Sequence, residues 1–448
     1  MPDHRTTHCH SRWLRLTLLL ASFSAPLAQA CTPPCDGSLD AWLPQSSLKT
    51  ADQNVGDGSL LLPRDGKLLV VATCRVANSK SVCLSKFNID GTLDPGFGSG
   101  GRVMLRDLPG ALQGVLTVLV GDGNPFLPGA SSPAALTPDG HIVIGATNDF
   151  HDWVVRLSSD GKTIDSIRQD PLASSILQAV LVQRDGKIVL LGNGYPGYAD
   201  DITVARYQPD LSQADTSFGN GGASRLDAPA GASDTYLRAI IEAPDHSLVL
   251  AGQTVPAGAT GSAGYVVKLT ANGWYDGGFG TGGRWIDNYA SGYIDLLANR
   301  QGEIWVAGTA NTSPVDIRVL RMLPDASLLG ARNYGANCSD GDDYASRIGI
   351  QPDGKILVTG HCDSAIGTET IELLRLTTTD NLDTSFGEFG YRLFIVVHSD
   401  SYKPNFADAI RVGGGGILLS WHSFLQDENP RWLSRFTLDE IFPGTFDN

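Results

Sequence analysis

The sequence has 448 residues, of which 33 are Lys or Arg and 48 are Asp or Glu, and its formal net charge at pH 7 is −15. Nucleic acids and anionic membrane surfaces repel a chain of this charge, so we exclude both classes of partner. After the first thirty residues no apolar segment is long enough to cross a bilayer, and we therefore predict no membrane span.

Residues 1–30 have the organisation of a secretory signal peptide. Three arginines, the last at Arg15, precede an apolar stretch that begins at Leu16, and the segment ends in the A-x-A cleavage site Ala28-Gln29-Ala30. We therefore expect a secreted or periplasmic protein. Cys31 follows the cleavage site, as it would in a lipoprotein, but Ala28 stands where a lipoprotein signal has leucine. Ordinary secretion is favoured over lipid anchoring at Cys31.

Residues 31–59 form a separate N-terminal segment in our prediction. Its motif Asp36-Gly37-Ser38-Leu39-Asp40 resembles a motif that ends most of the repeats farther along the chain. A strand that stands alone at one end of a ring of repeats can complete the last unit and close the ring. We therefore interpret 36–43 as a ring-closing strand, with a short N-terminal cap as the alternative.

From residue 60 to residue 448 the chain repeats with a period of about 58 residues. The first signature of each repeat is a tight turn between two apolar runs, usually Asp-Gly, which is the strongest short signal for a β-hairpin. The flanks, such as Leu68–Ala72 and Ile356–Thr359, are dense in β-branched and aliphatic residues and predict strands covered on both faces. Seven turns are visible, at Gly66, Gly140, Gly186, His246, Gly302, Gly354 and Gly415.

A second signature, Asp-x-x-Phe-Gly, follows four of the hairpins, and weaker copies lie at 160–165 and 324–328. Apolar residues that recur at one position of a repeat are expected to pack in equivalent places. We predict that the phenylalanines are buried between neighbouring units: Phe97, Phe218, Phe279 and Phe386.

Each repeat offers about four short strands, and four-stranded units repeated radially describe a β-propeller. We therefore predict an all-β fold, a propeller of about seven four-stranded blades over residues 60–448. Six blades are the alternative if the second repeat, which carries the insertion Asp107–Pro133, merges with a neighbour. Long helical patterns are absent from the sequence, which excludes helical solenoids.

The paired signatures resemble the delta-60 repeat family, exported bacterial proteins that are predicted to form β-propellers. The resemblance runs from about Leu60 to Phe446 and is most specific over Gly186–Gly219 and Gly354–Gly387. It implies a propeller scaffold and no established activity.

Strand order predicts where function lies. If the first signature joins strands one and two and the second joins strands three and four, all regular turns lie on one face. The loops from strand two to three and from blade to blade then lie on the opposite face, here called the variable face, and such loops usually carry function. Our candidates for ligand contact there are Asp149, Asp152, Tyr198, Asp200, Asp201, His361 and Trp421.

Asp342, Asp343 and Asp363 are weaker candidates for metal ligands, because calcium is bound by clustered carboxylate oxygens. The alternative is that these aspartates are ordinary solvent-exposed loop residues, since Asp is common in turns. No Asp-x-Asp-x-Asp-Gly loop is present, so the alternative is favoured and we predict no cofactor.

Six cysteines remain after the signal peptide, an even number that favours three disulfides in an oxidising compartment. Zinc binding is the alternative, but the first pair has no second pair at matching spacing. The spacings propose the disulfides Cys31–Cys35, Cys74–Cys83 and Cys338–Cys362.

The sequence contains no nucleophile elbow, zinc-protease motif or phosphate-binding loop, so we predict no catalytic residue. A non-catalytic binding or scaffolding module is the favoured function. Its partner is an unidentified protein, glycan or cationic ligand, and we expect a monomer. The alternative is a secreted hydrolase or lyase with carboxylates at the mouth of the propeller channel. A surface-display role is a third interpretation, which lipidation at Cys31 would favour.

Overall fold

The computed structural model describes residues 54–61, 65–76, 79–88, 92–109, 117–118, 133–147, 151–172, 175–194, 202–259, 261–335, 341–363, 369–387, 389–395, 404–413, 416–423 and 431–437. All of them belong to one unit, Gly37–Asn448. The predicted signal peptide and the predicted ring-closing strand at 36–43 lie outside the described residues.

The described residues form seven antiparallel sheets, here called blades 1 to 7 in chain order. Blade 1 consists of β1 (Asn54–Leu61), β2 (Leu68–Val76), β3 (Ser79–Phe87) and β4 (Arg102–Met104), followed by a 3-10 helix, Leu105–Asp107. Blade 2 consists of β5 (Thr117–Val118), β6 (Ala134–Leu136), β7 (Ile142–Thr147), β8 (Asp152–Leu157) and β9 (Ile164–Gln169). Blade 3 consists of β10 (Ile176–Val182), β11 (Ile188–Asn193), β12 (Ile202–Tyr207) and β13 (Ala223–Leu226).

The remaining blades follow the same order. Blade 4 consists of β14 (Asp234–Glu242), β15 (Leu248–Val255), β16 (Ala263–Leu269) and β17 (Arg284–Asp287). Blade 5 consists of β18 (Ala290–Ala298), β19 (Ile304–Ala310), β20 (Ile317–Met322) and β21 (Leu328–Tyr334). Blade 6 consists of β22 (Asp342–Ile350), β23 (Ile356–Asp363), β24 (Glu369–Leu376) and β25 (Tyr391–Ile395). The described part of blade 7 consists of β26 (Pro404–Gly413), β27 (Gly416–Ser423) and β28 (Arg431–Thr437).

The first strands of the blades form a closed ring. In chain order β1, β6, β10, β14, β18, β22 and β26 each pack against the next, and β26 packs against β1. The predicted all-β propeller is therefore confirmed. The second repeat stays a blade of its own because β5 and β6 both pair with β7 and share the place of its first strand.

Burial on both faces of the strands explains their continuous apolar sequences. All six residues of β11 and all seven of β19 are buried, as expected for strands inside stacked blades. The four phenylalanines of the second signature are 0–1% exposed, which confirms their predicted burial. They lie between blades: a Cβ at Gly161 of blade 2 would approach Phe97 of blade 1 to within 2.6 Å, and a Cβ at Gly273 of blade 4 would approach Phe218 of blade 3 to within 2.7 Å.

Within each four-stranded blade the strands are neighbours in chain order, which makes each an antiparallel meander. In a meander the connections from the first to the second strand and from the third to the fourth leave at the same end. The two signatures therefore lie together at one end of the blades, and the connections that we assigned to the variable face lie at the other.

A disulfide joins β2 to β3 as predicted. The Cα atoms of Cys74 and Cys83 are 5.8 Å apart, within the range that a disulfide requires. Cys362 is also disulfide-bonded, but its partner lies outside the described residues, as do Cys31, Cys35 and Cys338. The part of the chain that is described contains no helix long and apolar enough to cross a membrane.

Candidate ligand-binding site

Several of the predicted contact residues are not covered by the structure. Asp363 and Trp421 belong to β23 and β27, and nothing is described of their side chains. Four further candidates lie outside the described residues: Asp149, Tyr198, Asp200 and Asp201.

Asp152 joins two blades at the variable face. Its carboxylate accepts a hydrogen bond of 2.7 Å from the backbone N–H of Leu177, on the first strand of blade 3. Burial raises the pKa of Asp152, and this hydrogen bond opposes the rise only in part. The contact holds blades 2 and 3 together.

Asp342, Asp343 and His361 lie at the variable end of blade 6. The carboxylate of Asp342 accepts a 2.9 Å hydrogen bond from the N–H of Val315, in the loop before β20, and the N–H of Asp343 donates to the carbonyl of Val315 at 2.8 Å. His361 is 6% exposed, and its ring stacks on that of Tyr344 with the ring centres 4.9 Å apart. The start of blade 6 is thereby fixed to blade 5.

A fully buried carboxylate that our sequence analysis did not select lies beside this contact. Glu372 of β24 is 0% exposed, and neither of its carboxylate oxygens has a hydrogen-bond partner. Burial raises its pKa well above the usual value, and the nearby charges of Asp343 and Asp316 raise it further. The side chain of Asp343 is itself buried, at 2% exposed.

The strand register places the side chain of Glu372 on the face of blade 6 that packs against blade 5. Glu372 lies directly opposite Gly360 of β23, and residues directly opposite one another share a face of the sheet. A Cβ at Gly360 would lie 2.8 Å from Cδ1 of Ile317, on β20 of blade 5, so this face is the one that packs against blade 5. The carboxylate therefore enters the boundary between the two blades.

Gly335, just after β21, opens a space in front of the acidic side chains. A Cβ at this residue would lie 2.8 Å from Oδ1 of Asp316 and 3.6 Å from Oδ2 of Asp343. The two carboxylates thus face the same point. Gly335 is exposed and Asp316 is half-buried, so this point is next to solvent although Glu372 behind it is enclosed.

A cleft of about 550 Å³ between the outer parts of blades 5 and 6 ends at Gly335. It is lined by Arg332–Gly335 on one side and by Asp380–Leu382 and Tyr391 on the other. Nε of Arg332 and Oδ2 of Asp380 form an ion pair of 2.6 Å across it. Burial raises the pKa of Tyr391, and the charges of Glu372, Asp343 and Asp316 add to the rise. We call Asp316, Asp343 and Glu372 the acidic cluster from here on.

Phe389, two residues before Tyr391, is unusual in two respects. Its φ is +55°, in the left-handed region that a bulky residue rarely adopts, and its side chain is 76% exposed. In the other complete copies of the second signature the same position is glycine, with φ of 62°, 67° and 61° at Gly100, Gly221 and Gly282. Only blade 6, among the complete copies, carries an aromatic ring at this turn.

The described residues contain no group of three or more His, Cys, Asp or Glu side chains arranged to hold a metal ion. Of the acidic cluster, Asp343 was among our candidates, but Asp316 and Glu372 were missed, Asp316 because it resembles an ordinary loop residue. The one signal for Glu372 was an acid within the apolar run Ile371–Leu376.

Comparison with known proteins supports the architecture. Residues 64–97 and 351–386 match the family described as "Domain of unknown function (DUF5122) beta-propeller". No curated protein matches the chain. Together with the seven blades, the family match makes this chain a β-propeller protein, and its membership of the delta-60 repeat family remains a prediction.

Similar solved structures include an ulvan lyase of a polysaccharide lyase family, with a TM-score of 0.49 and 10% identity over 88% of this chain and 98% of that chain. The β-propeller domain of the trilobed protease from Pyrococcus furiosus has a TM-score of 0.42 and 10% identity over 87% and 99%. Prolyl oligopeptidase B from Galerina marginata has a TM-score of 0.49 and 9% identity over 88% and 50%. At these identities the likeness concerns the fold alone.

Proposed function

We propose that this protein is an exported, non-catalytic binding module whose ligand contacts the turn of blade 6 that carries Phe389, two residues before Tyr391 of the cleft between blades 5 and 6. The observation that carries the proposal is Phe389. A non-glycine residue in the left-handed region costs on the order of 1–3 kcal/mol, and a ring that is 76% exposed gains little packing in return. Contact with a ligand is the function that such a strained, exposed aromatic side chain serves.

Export is part of the same proposal. The predicted signal peptide directs the chain out of the cytoplasm, and the Cys74–Cys83 disulfide fits an oxidising compartment, where such bonds persist. A secreted or periplasmic module meets ligands in the surrounding medium, and a cleft that opens at the outer edge of two blades is accessible to them.

Phe389→Gly tests this turn as part of the binding site. The variant restores the glycine of the other repeats, so we expect it to unfold at a higher temperature than the wild type because the backbone strain is gone. We expect it also to lose the ligands that the wild type retains on glycan and peptide arrays. Trp274→Ala, which removes another exposed aromatic ring in blade 4, is the matched control and should keep them. Equal binding by the wild type and the glycine variant would refute this assignment.

A second function, polysaccharide hydrolysis or elimination, has one observation in its favour. Burial raises the pKa of Glu372 beside Asp343, and a carboxyl group with a raised pKa is typical of a general acid. Assays of wild type and Glu372→Gln for new reducing ends or unsaturated sugars test it. Binding remains the better supported function because Glu372 is 0% exposed, out of reach of a glycosidic bond.

A further inference from the structure

We propose that the cleft between blades 5 and 6 binds an uncharged saccharide through the hydroxyl groups of its sugar rings. The cleft lies at a boundary to which the second signature contributes no phenylalanine. The inference rests on the proposed function, because it assigns a ligand class to the cleft that Tyr391 lines, two residues after Phe389.

The cleft lies where the repeat lacks part of its usual packing. Phe97 and Phe218 contact the following blade at Gly161 and Gly273, and Phe279 packs in one cluster with residues of blade 5. The copy of the second signature in blade 5, at 324–328, has no Phe-Gly pair. No ring of this motif therefore enters the boundary between blades 5 and 6, where the cleft of about 550 Å³ lies.

The boundary between blades 2 and 3 also lacks this phenylalanine, and it shows how such a place is filled. Leu211 of blade 3 is 1% exposed and packs with Val143 and Val154 of blade 2. Arg168 of β9 donates from Nε to the carbonyl of Leu211 at 2.7 Å and from a terminal nitrogen to the carbonyl of Ser212. The next blade thus occupies the boundary and engages the arginine on two nitrogens.

Arg332 takes the corresponding place in blade 5 but is engaged differently. It lies opposite Val319, the third residue of β20, as Arg168 lies opposite Val154, the third residue of β8. Nε of Arg332 donates to Asp380 at 2.6 Å, and its two terminal nitrogens have no partner within the described residues. The side chain is 51% exposed. Two parallel N–H donors are therefore available to a ligand.

Asp380, which holds this guanidinium group, departs from the repeat. Its φ is +54°, in the left-handed region, and among the described copies of this turn it is the only charged residue at its position. The corresponding residues, all with positive φ, are Gly161, Leu211, Gly273 and Ala326. Non-glycine residues in this region are concentrated at binding sites. Blade 6 thus has unusual left-handed residues both in the wall of the cleft, at Asp380, and beside it, at Phe389.

The polar groups of the cleft match the hydroxyl groups of a sugar. Besides Arg332, the amide nitrogen of Asn333 and the hydroxyl of Tyr391 have no hydrogen-bond partner within the part of the chain that is described. Asn381 uses its amide nitrogen locally and keeps its amide oxygen as an acceptor. A hydroxyl group both donates and accepts, and the end of a guanidinium group reaches two neighbouring oxygens at once. The ring of Tyr391 offers an apolar surface to the C–H groups of a sugar.

The charges around the cleft favour an uncharged ligand. Arg332 and Asp380 neutralise each other across it. At Gly335, where the cleft ends, a Cβ would lie 2.8 Å from Oδ1 of Asp316 and 3.6 Å from Oδ2 of Asp343, so an anionic sugar would meet two carboxylates. The net charge of −15 repels an anion over longer distances as well.

The experiment titrates the wild-type protein by calorimetry with cellotetraose, xylotetraose, mannotetraose and galactotetraose. Sodium polygalacturonate is the acidic carbohydrate, and acetylated tetra-alanine amide is the peptide. Arg332→Lys keeps a positive charge beside Asp380 but loses the paired terminal nitrogens, and Tyr391→Phe loses only a hydroxyl. The matched controls are Arg168→Lys, at the boundary between blades 2 and 3, and Tyr289→Phe, at a ring that is 74% exposed and does not line the cleft.

We expect at least one neutral oligosaccharide to bind the wild type and both controls, and to bind Arg332→Lys and Tyr391→Phe at least about threefold more weakly. Arg332→Lys should unfold at the wild-type temperature, because the lysine still pairs with Asp380. Arg168→Lys should unfold at a lower temperature, because one nitrogen replaces two that are bonded to the next blade. A purely structural role of Arg332 would give the opposite pattern.

Three results would overturn the inference. They are binding of none of the neutral oligosaccharides, binding of polygalacturonate or the peptide alone, and equal binding of a saccharide by the wild type, Arg332→Lys and Tyr391→Phe. If a ligand found on the arrays is then still lost in Phe389→Gly, the proposed function stands without the saccharide site. Equal array binding by Phe389→Gly and the wild type contradicts the proposed function, whatever the two cleft variants do.

Discussion

Two buried acids of blade 6 show how strongly the surroundings of a carboxyl group set its charge. Burial alone would raise the pKa of Asp383, but hydrogen bonds from Ser385 and Lys355 and the charge of Arg375 lower it to about 2. Glu372 is buried more deeply and has no such partner, and its pKa is raised. Asp383 therefore contributes to the stability of the fold at neutral pH, while an ionised Glu372 opposes it.

Glu372→Gln should stabilise the protein at neutral pH and weaken the pH dependence of its stability. A carboxyl whose pKa is raised by folding contributes stability below its unfolded pKa, about 4.3, and this contribution is lost as the pH rises through the folded pKa. We expect the glutamine variant to gain about 1–3 kcal/mol at neutral pH, the usual cost of an unsatisfied buried group, and almost nothing near pH 4. Urea unfolding at a series of pH values measures the difference.

The other groups that face Glu372 are Asp316, Asp343 and Tyr391, and they are present in both proteins. Subtracting one pH profile from the other therefore isolates Glu372, because the acids with lowered pKa values, such as Asp383, contribute equally to both. A gain that is the same at every pH would contradict the raised pKa and indicate a change in packing instead.

The two repeat signatures are parts of one structural element. In blade 3, Lys187 from the hairpin turn and Arg206 from β12 both contact Asp215 of the second signature, at 3.0 and 2.8 Å. The guanidinium group of Arg206 also lies 4.5 Å from the ring centre of Phe218. Blade 6 repeats the arrangement with Lys355, Arg375, Asp383 and Phe386. The ion pairs hold the turn so that the phenylalanine reaches the next blade.

The second signature also joins neighbouring blades through the backbone. The N–H of Gly219 donates to the carbonyl of Asn272 at 2.7 Å, and the N–H of Gly98 donates to that of Asp160 at the same distance. These Phe-Gly pairs therefore supply one apolar and one polar contact to the following blade, which explains why the two residues recur together.

Phe218→Ala should destabilise the protein by about 3–5 kcal/mol, the usual cost of emptying a fully buried aromatic site. The ring packs against Gly273 of the next blade, which has no side chain to fill the cavity. Chemical denaturation measures the change. Trp274→Ala, at the exposed neighbouring position, should change stability by less than about 0.5 kcal/mol. A loss below about 1 kcal/mol for Phe218→Ala would mean that the phenylalanine does not hold the blades together.

The closed ring determines where a ligand can enter the molecule. The acidic cluster combines residues of blades 5 and 6, and it exists only because blade 6 packs against β20 of blade 5. Gly335, just before blade 6, and Asp342, at the start of that blade, lie next to the cluster, and Asp343 belongs to it. The connection between them, residues 336–340, contains Cys338, which we predict to pair with Cys362.

Peptide mapping without reduction should recover Cys338 joined to Cys362. Cys362 is already known to be in a disulfide, and it lies directly opposite Asp343 of the acidic cluster. Recovery of Cys362 with Cys31 or Cys35 would refute the pairing.

Features that depend on near neighbours in the chain were predictable from the sequence. Asp-Gly turns and the apolar strands beside them depend only on residues a few positions apart. Their regular return along the chain predicted the blades, their approximate number and the burial of Phe97, Phe218, Phe279 and Phe386. The Cys74–Cys83 pair was predictable for the same reason, since both cysteines belong to one hairpin. The residues that form a turn are neighbours in the chain, so a turn can be predicted from a single sequence.

The candidate site depends on contacts between residues far apart in the chain. Asp316, Asp343 and Glu372 come from three segments of two blades, and Asp316 and Glu372 are unremarkable in their own segments. Whether a carboxylate is hydrated or enclosed depends on which neighbouring blade covers it, and the repeat pattern carries no information about that packing. Burial without a hydrogen-bond partner, which raises the pKa of Glu372, therefore arises only when the ring closes and the two blades meet.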